Sequence, residues 1–189
     1  MSASMTVFFV ERTGHLLGAV TRNSGVAPAS RKGPISEDLL FRFKDGTQAT
    51  VSGNHLSTLL VAPLPEVPLA PLDFHAPKAT DAPPGTAPRP KDVKRLPAAP
   101  VSVTLYSDGI LVDLGRFATK NENVWILVAG GTLAEPLFVE GTIEKDSQGT
   151  TLLTPALAKG VFYQVLALVE DHATFLDRLD AHGPSPIED

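Results

Sequence analysis

The 189-residue sequence has no cysteine, one tryptophan and only two tyrosines. Without cysteine, the chain forms no disulfide and has neither a thiolate metal ligand nor a cysteine nucleophile. Long apolar runs are also missing. The run at residues 6–10 stops at Glu11 and Arg12, too short for a signal-peptide core or for the roughly 18 residues of a membrane span. We therefore expect a protein of the cytoplasm, or of a particle assembled there, with no signal peptide and no membrane insertion.

The chain also has no excess of positive charge, since it contains 16 Lys and Arg and 21 Asp and Glu, for a net charge of -5. This acidity argues against a nucleic-acid binder that relies on neutralising phosphates. Most of it lies in residues 101–189, which hold 13 Asp and Glu against 5 Lys and Arg. What the chain does have is 43% hydrophobic residues, enough to form a folded core.

The prolines are concentrated in one stretch, because 11 of the 17 lie between Pro63 and Pro100. Proline lacks the N–H donor and restricts the residue before it, so this density excludes a helix or a central strand. We predict an extended, Pro/Ala-rich linker here. The predicted domains are a small β module at 1–62, the linker at 63–100, a second β module at 101–180 and a polar tail at 181–189.

Both modules have short apolar or alternating segments separated by turn residues, the pattern of antiparallel strands. The predicted strands of the first module cover residues 6–10, 15–20, 41–44, 47–51 and 56–63. Between the third and the fourth of these, Asp45-Gly46 predicts a type I′ hairpin turn. The predicted strands of the second module cover residues 101–105, 110–114, 124–129, 137–143, 150–154 and 161–169. Residues 171–181 fit either a short helix or a last edge strand.

This series of strands predicts an all-β protein of two small antiparallel modules, the second an antiparallel sandwich of immunoglobulin-like size. Trp125, within the apolar run 124–129, and Val165 are expected in its core. A buried tryptophan on a central strand resembles the core tryptophan of immunoglobulin-like domains. The resemblance extends over about residues 101–170 and is one of architecture only, since no cysteine pair or other family motif accompanies it.

Candidate catalytic and metal-binding residues are few and scattered. None of the histidines has the i, i+2 or i, i+4 spacing that places a metal-binding pair on one face. They are His15, His55, His75, His172 and His182. Glu170-Asp171-His172 joins two carboxylates to an imidazole, which can tune a histidine or collect a cation, but we interpret it as a polar loop. Ser52-Gly53-Asn54-His55 is interpreted as a turn. We expect no enzyme activity, no catalytic residue, no cofactor and no metal site.

The sequence therefore predicts a non-enzymatic structural or adaptor subunit of a larger protein assembly. Phage-like and contractile injection particles use small β modules and extended arms, an analogy of architecture alone. The partners would be other protein subunits or copies of this chain, not nucleic acid. Apolar side chains within the linker are the predicted partner-binding anchors: Leu64, Val67, Leu69, Leu72 and Phe74. The alternative is a carbohydrate- or surface-binding sandwich, although aromatic residues that could stack on sugars are few.

Overall fold

The structure is a computed structural model that describes residues 4–22, 33–34, 38–61, 64–76, 93–97 and 101–185. The strands, numbered in chain order, are β1 (Ser4–Val10), β2 (Leu16–Arg22), β3 (Gly33–Pro34), β4 (Leu39–Arg42), β5 (Gln48–Val51), β6 (Leu56–Val61), β7 (Phe74–His75), β8 (Lys94–Arg95), β9 (Ser102–Leu105), β10 (Gly109–Asp113), β11 (Glu122–Ala129), β12 (Leu137–Ile143), β13 (Gly149–Leu153), β14 (Phe162–Val169) and β15 (Phe175–Asp180). The predicted all-β class is confirmed, with 52% of the described residues in strands, 4% in helices, and several antiparallel sheets. Within the described ranges the helices are two 3₁₀ turns, Gly53–His55 and Pro71–Asp73, and neither is long or apolar enough to cross a membrane.

The chain forms two compact units. The N-terminal unit comprises residues 1–39 and 51–96, and the C-terminal unit comprises residues 40–50 and 97–189. Most of the β4–β5 hairpin thus belongs to the C-terminal unit, although the sequence suggested that it is part of the first module. The predicted module boundaries stay a prediction, because much of the proline-rich stretch lies outside the described residues.

The N-terminal unit is built on a four-stranded antiparallel sheet in the order β2-β1-β6-β3. Within it, Val7 of β1 pairs with Ala19 of β2 on one side and with Leu59 of β6 on the other. Because side chains alternate along a strand, Met5, Val7 and Phe9 face the same side of the sheet. All three are buried in one core cluster.

The described parts of the proline-rich stretch are folded into this N-terminal unit. β7 pairs antiparallel with β8, and Ala76 N donates a hydrogen bond to Gly14 O at 2.8 Å. Val67, Phe74 and Val93 are buried in the same core cluster as β1. The predicted extended linker is therefore not confirmed. Apolar residues between the prolines instead supply part of a hydrophobic core.

The C-terminal unit contains two antiparallel sheets that share one hydrophobic core. The strand order is β13-β10-β9 in the first sheet and β12-β11-β14-β15 in the second. Ile110 and Val112 enter the core from the first sheet, and Val124 and Val165 enter it from the second. Each strand predicted for the second module is present, Val165 is confirmed as a core residue, and residues 171–181 contain the edge strand β15 rather than a helix.

Trp125 is fully buried, as predicted, but it lies on the outer face of its sheet. The preceding Val124 faces the core between the two sheets, so strand alternation turns Trp125 to the opposite side. There its ring centroid lies 5.7 Å from that of Phe138. The sequence predicted the burial of Trp125 but not which face of the sheet holds it. On β14 of the same sheet, Gln164 Nε2 donates to Asp45 Oδ2 at 2.7 Å and so attaches the β4–β5 hairpin.

The β4–β5 hairpin turn forms where it was predicted, but the predicted type I′ geometry is wrong. Asp45 lacks the positive φ that this turn type requires. Instead, Phe43 N donates to Thr47 O at 2.8 Å, Gly46 N donates to Phe43 O at 3.1 Å, and Gly46 has a φ of 90°. These are the features of a type I turn followed by a glycine bulge. Thr47 N also donates to Asp45 Oδ1 at 2.9 Å, which is the main cause of the lowered pKa of Asp45.

Tyr163 fixes the start of β14 from inside the C-terminal unit. It is 1% exposed, and its hydroxyl accepts a hydrogen bond from Ala158 N at 2.9 Å. The same hydroxyl lies 2.9 Å from Thr132 Oγ1. Gly131, with a φ of 59°, sits against the ring so closely that a Cβ at this position would overlap it. The Gly130-Gly131 pair therefore ends β11 and also leaves room for the tyrosine.

Candidate binding site at one end of the C-terminal unit

Three loops converge at one end of the C-terminal unit, and we call residues 114–121, 144–148 and 170–174 the loop end. They follow β10, β12 and β14, respectively. Ala118 joins the first two loops because its N donates to Ser147 O and its O accepts from Asp146 N, both at 2.8 Å. The backbone of the loop end is thus cross-linked rather than independent.

A buried carboxylate ties the first loop to the third. Glu122, 1% exposed, lies at the start of β11, and its Oε1 accepts from Arg116 Nη2 at 2.9 Å. Its Oε2 lies 2.7 Å from Nε2 of His172, which is also 1% exposed. Arg116 Nη2 in turn lies 2.9 Å from His172 Nε2. Burying a carboxylate is costly unless it is paired, and here a cation and an imidazole surround it.

A second buried carboxylate, Glu170, makes a parallel link between the same loops. Its Oε1 accepts from Lys120 Nζ at 2.7 Å, and its Oε2 accepts from Asn123 Nδ2 at 2.8 Å. Lys120 also donates to Asp171 Oδ2 at 2.6 Å. Burial of Lys120 disfavours its charge, but the hydrogen bonds to Asp171 and Glu170 and their negative charges outweigh burial and raise the pKa of Lys120. This lysine is therefore firmly protonated.

The interpretation of Glu170-Asp171-His172 as an ordinary polar loop is wrong for two of its residues. Glu170 and His172 are 3% and 1% exposed, and only Asp171 is open to solvent. Their partners Arg116 and Lys120 are far away in the sequence and were not predicted. The sequence did contain a signal, because basic residues precede the buried strand β11 and acidic residues follow the buried strand β14. Since β11 and β14 are antiparallel neighbours, the start of one lies beside the end of the other.

We call Glu122, Arg116 and His172 the Glu122 group. A pocket of about 450 Å³ opens beside it. It is lined by Val101, Ser102, Asp113, Leu114, Gly115, Arg116 and His172. A smaller groove of about 370 Å³ shares one wall, Asp113, with this pocket. The groove is otherwise lined by Leu111, Ser147, Gln148, Gly149, Thr150 and Thr151, so hydroxyl and amide groups dominate it. Both have the size of small-molecule sites.

An aromatic side chain stands out from the loop end. Phe117 is 63% exposed, and its backbone O accepts from Arg116 Nη1 at 2.9 Å. The next residue is Ala118, which is hydrogen-bonded to the second loop as described above. Phe117 is therefore presented to solvent by a loop that is fixed on both sides.

Comparisons with protein-family models, with curated proteins and with solved structures find no match to this chain. Within the described ranges, no group of three His, Asp or Glu side chains has an arrangement that could hold a metal ion.

The other residues singled out in the sequence also have structural positions. His182, in the C-terminal unit, donates its backbone N–H to Leu105 O at 2.9 Å, and the rest lie in the N-terminal unit. His15 is buried and forms a backbone bridge with His75. Ser52 caps the 3₁₀ turn by accepting from Asn54 N at 3.4 Å, in agreement with the predicted turn. His55 is the last residue of that turn.

The five predicted partner-binding anchors divide by burial. Val67 and Phe74 are core residues, and Leu64 packs against that core. Leu72 is half-buried, whereas Leu69 is 86% exposed. Partner binding by these residues stays a prediction. Of the five, Leu69 is the one whose side chain is largely exposed, so a partner could cover it without unfolding the N-terminal unit.

Proposed function

We propose that this chain is a non-enzymatic structural or adaptor subunit of a larger protein assembly, and that the loop end binds its protein partner. The supporting observation is Phe117, a large aromatic side chain exposed on a hydrogen-bonded loop. Protein interfaces owe much of their binding energy to a few such anchors near the centre of the contact. A partner with an apolar pocket would bury this ring.

The surroundings of Phe117 favour binding in two ways. The links from Arg116 to Glu122 and from Lys120 to Glu170 hold the loop in place before any partner arrives. A rigid loop loses little entropy on binding, so more of the contact energy remains as affinity. The half-exposed side chains of Arg116 and Lys120 also place charge around the aromatic ring, the apolar-centre and polar-rim pattern of protein interfaces.

We further propose that the C-terminal unit is an immunoglobulin-like sandwich. With β9–β15 lettered A to G, its sheets are E-B-A and D-C-F-G. The constant-type immunoglobulin fold has strand D beside strand E in the sheet of A and B, and this is the one difference between the two strand orders. Tyr163 supports this proposal, since a tyrosine near the start of strand F that bonds the backbone a few residues upstream is typical of these domains. The loop end then contains the B–C and F–G loops, which bind antigen in antibody variable domains.

The test is to measure, in extracts of the cells that produce the protein, the size at which the full-length chain elutes. We expect the wild-type chain to elute in a complex larger than the monomer, and Phe117→Ser to release it. Phe162→Ser is the matched control, because Phe162 is 50% exposed in the same unit but lies at the other end of β14. A monomeric wild-type chain would contradict the adaptor proposal. A Phe117→Ser chain that stays in the complex would exclude the loop end as the binding surface.

The groove beside Asp113 favours a second candidate function, the binding of a saccharide. Its wall combines the carboxylate of Asp113, the amide of Gln148 and the hydroxyls of Thr150 and Thr151, groups that hydrogen-bond sugar hydroxyls. A glycan array probed with the purified chain tests it. Binding that Gln148→Ala and Thr151→Ala abolish would favour this function, whereas an array without signal would leave the adaptor proposal alone.

A further inference from the structure

The pocket beside the Glu122 group combines a mostly apolar wall with one cation and one accessible carboxylate. Val101 and Leu114 supply the apolar part, Arg116 the cation and Asp113 the carboxylate. We propose that this pocket binds a small zwitterion with an aliphatic body, of the size of leucine. The ligand carboxylate would meet Arg116, its ammonium would meet Asp113, and its side chain would lie against Val101 and Leu114. This inference does not depend on the adaptor function.

The charge balance of the pocket selects this class of ligand. The single guanidinium of Arg116 already neutralises Glu122 beneath it. The remaining N–H donors of Arg116 can bind one ligand carboxylate, whereas a phosphate dianion or a dicarboxylate would bring a further negative charge close to Asp113, which would repel it. A plain aliphatic molecule would leave both charged groups without a partner when it excluded water. A zwitterion satisfies the two groups with opposite charges.

Both charged groups are positioned before a ligand binds. Arg116 is held by Glu122 Oε1 through Nη2 and by Phe117 O through Nη1, each at 2.9 Å. Asp113 Oδ1 accepts from Gly115 N at 2.7 Å. Because these groups are already oriented, binding does not have to order them. More of the contact energy of a small ligand then remains as affinity. The buried Glu122 thus serves to orient the guanidinium at the pocket wall.

Ligand-observed NMR and calorimetry on the full-length chain test the proposal with three probes of nearly equal shape. L-leucine carries both charges, 4-methylpentanoate lacks the ammonium, and leucinamide lacks the carboxylate. We expect leucine to bind with a dissociation constant of about 1 mM or below, as its small number of atoms allows. Each analogue should bind about tenfold more weakly, the effect of one lost charge-assisted hydrogen bond.

Asp113→Asn separates the two charged contacts without touching the buried group. It should weaken leucine binding about tenfold without weakening 4-methylpentanoate, because 4-methylpentanoate has no ammonium for Asp113 to bind. Asp177→Asn is the control, since Asp177 is an exposed carboxylate on β15 that does not line the pocket. A folded wild-type chain that binds none of the three probes would overturn the proposal. Equal binding of all three, or equal effects of the two variants, would overturn the assignment to a zwitterion.

Discussion

The two units bury their apolar residues in different ways. In the C-terminal unit, strands of two sheets share the core, and alternate residues such as Val103, Val112 and Val124 enter it. In the N-terminal unit, one sheet is complemented by irregular segments from the proline-rich stretch, including Val67 and Phe74. Proline density thus excludes regular structure but not burial. A chain already restricted by proline loses less conformational entropy when it packs.

The units also differ in the polar groups they bury. Among the described residues, the buried polar side chains of the N-terminal unit are Thr13, His15 and Ser57, whereas the C-terminal unit buries the carboxylates Glu122 and Glu170. An ion pair in the interior adds little net stability compared with apolar residues of the same shape. Its presence at the loop end therefore suggests a role in positioning, as proposed above for the pocket and for Phe117.

The largest expected effect is that of Trp125→Ala in the C-terminal unit. Removal of a fully buried indole should lower the free energy of unfolding by about 3–5 kcal/mol. Denaturant unfolding gives the size of the effect, and hydrogen exchange shows whether β11 and β14 lose protection. Leu153→Ala is the control, because Leu153 is 80% exposed and its loss should change stability by no more than about 0.5 kcal/mol. Equal effects of the two variants would contradict burial of the outer sheet face.

Phe74→Ala tests the N-terminal half of the comparison. If the proline-rich stretch supplies core residues, this variant should cost about 3 kcal/mol, near the lower end of the range for a buried phenylalanine. Leu69→Ala, in the same stretch but 86% exposed, should be close to neutral. Denaturant unfolding of both variants measures the difference. Two neutral substitutions would restore the extended linker that the sequence predicted.

A smaller effect is expected from Tyr163→Phe, which removes only the hydroxyl. Ala158 N would lose its acceptor inside the C-terminal unit, at a cost of about 1–2 kcal/mol. Tyr106→Phe is the control, because Tyr106 is only half-buried. Thermal unfolding of both variants is the measurement. A neutral Tyr163→Phe would remove the hydrogen-bond support for an immunoglobulin-like sandwich.

The smallest effect, and a pH-dependent one, is expected from Lys120→Gln. The Lys120 side chain is half exposed although Glu170 is buried, so solvent screening of the lysine limits the loss to about 1 kcal/mol at neutral pH. The folded state raises the pKa of Lys120 above its ordinary 10.5, so this stabilisation is complete below that pH and disappears as the pH rises through the folded-state pKa. Urea unfolding of both chains, from neutrality to alkaline pH, measures the difference.

Lys145→Gln is the matched control for Lys120→Gln. Lys145 lies in the same loop end, but its contact with Asp146 is 3.9 Å long and both side chains are largely exposed. We expect almost no change in stability at any pH. A pH profile for Lys120→Gln that is the same as the profile for Lys145→Gln would show that the Glu170 link adds nothing to the rigidity of the loop end.

The strands were predictable because each has its own local signal. Alternation in residues 101–105 and the apolar run 124–129 depend only on which neighbours are polar, and β9 and β11 form there. The segment 171–181 was ambiguous because its apolar residues fit either periodicity. Pairing with β14, which no local pattern encodes, makes it a strand. The turn at Asp45-Gly46 was located correctly for the same local reason, but its geometry depends on how the two strands pair.

The contacts of the candidate site were not predicted from short-range sequence patterns. Arg116 and His172 are separated by 56 residues, yet their side chains lie 2.9 Å apart. Short-range patterns such as Glu170-Asp171-His172 show which charges are close along the chain, but not which opposite charges will neutralise them. The sequence by itself determined the all-β class and the positions of most strands, because hydrogen-bonding periodicity is local. Only the tertiary structure decided which face of β11 holds Trp125, whether proline-rich residues are buried, and which loops meet. These outcomes depend on contacts between distant segments, which form only when the sheets pack.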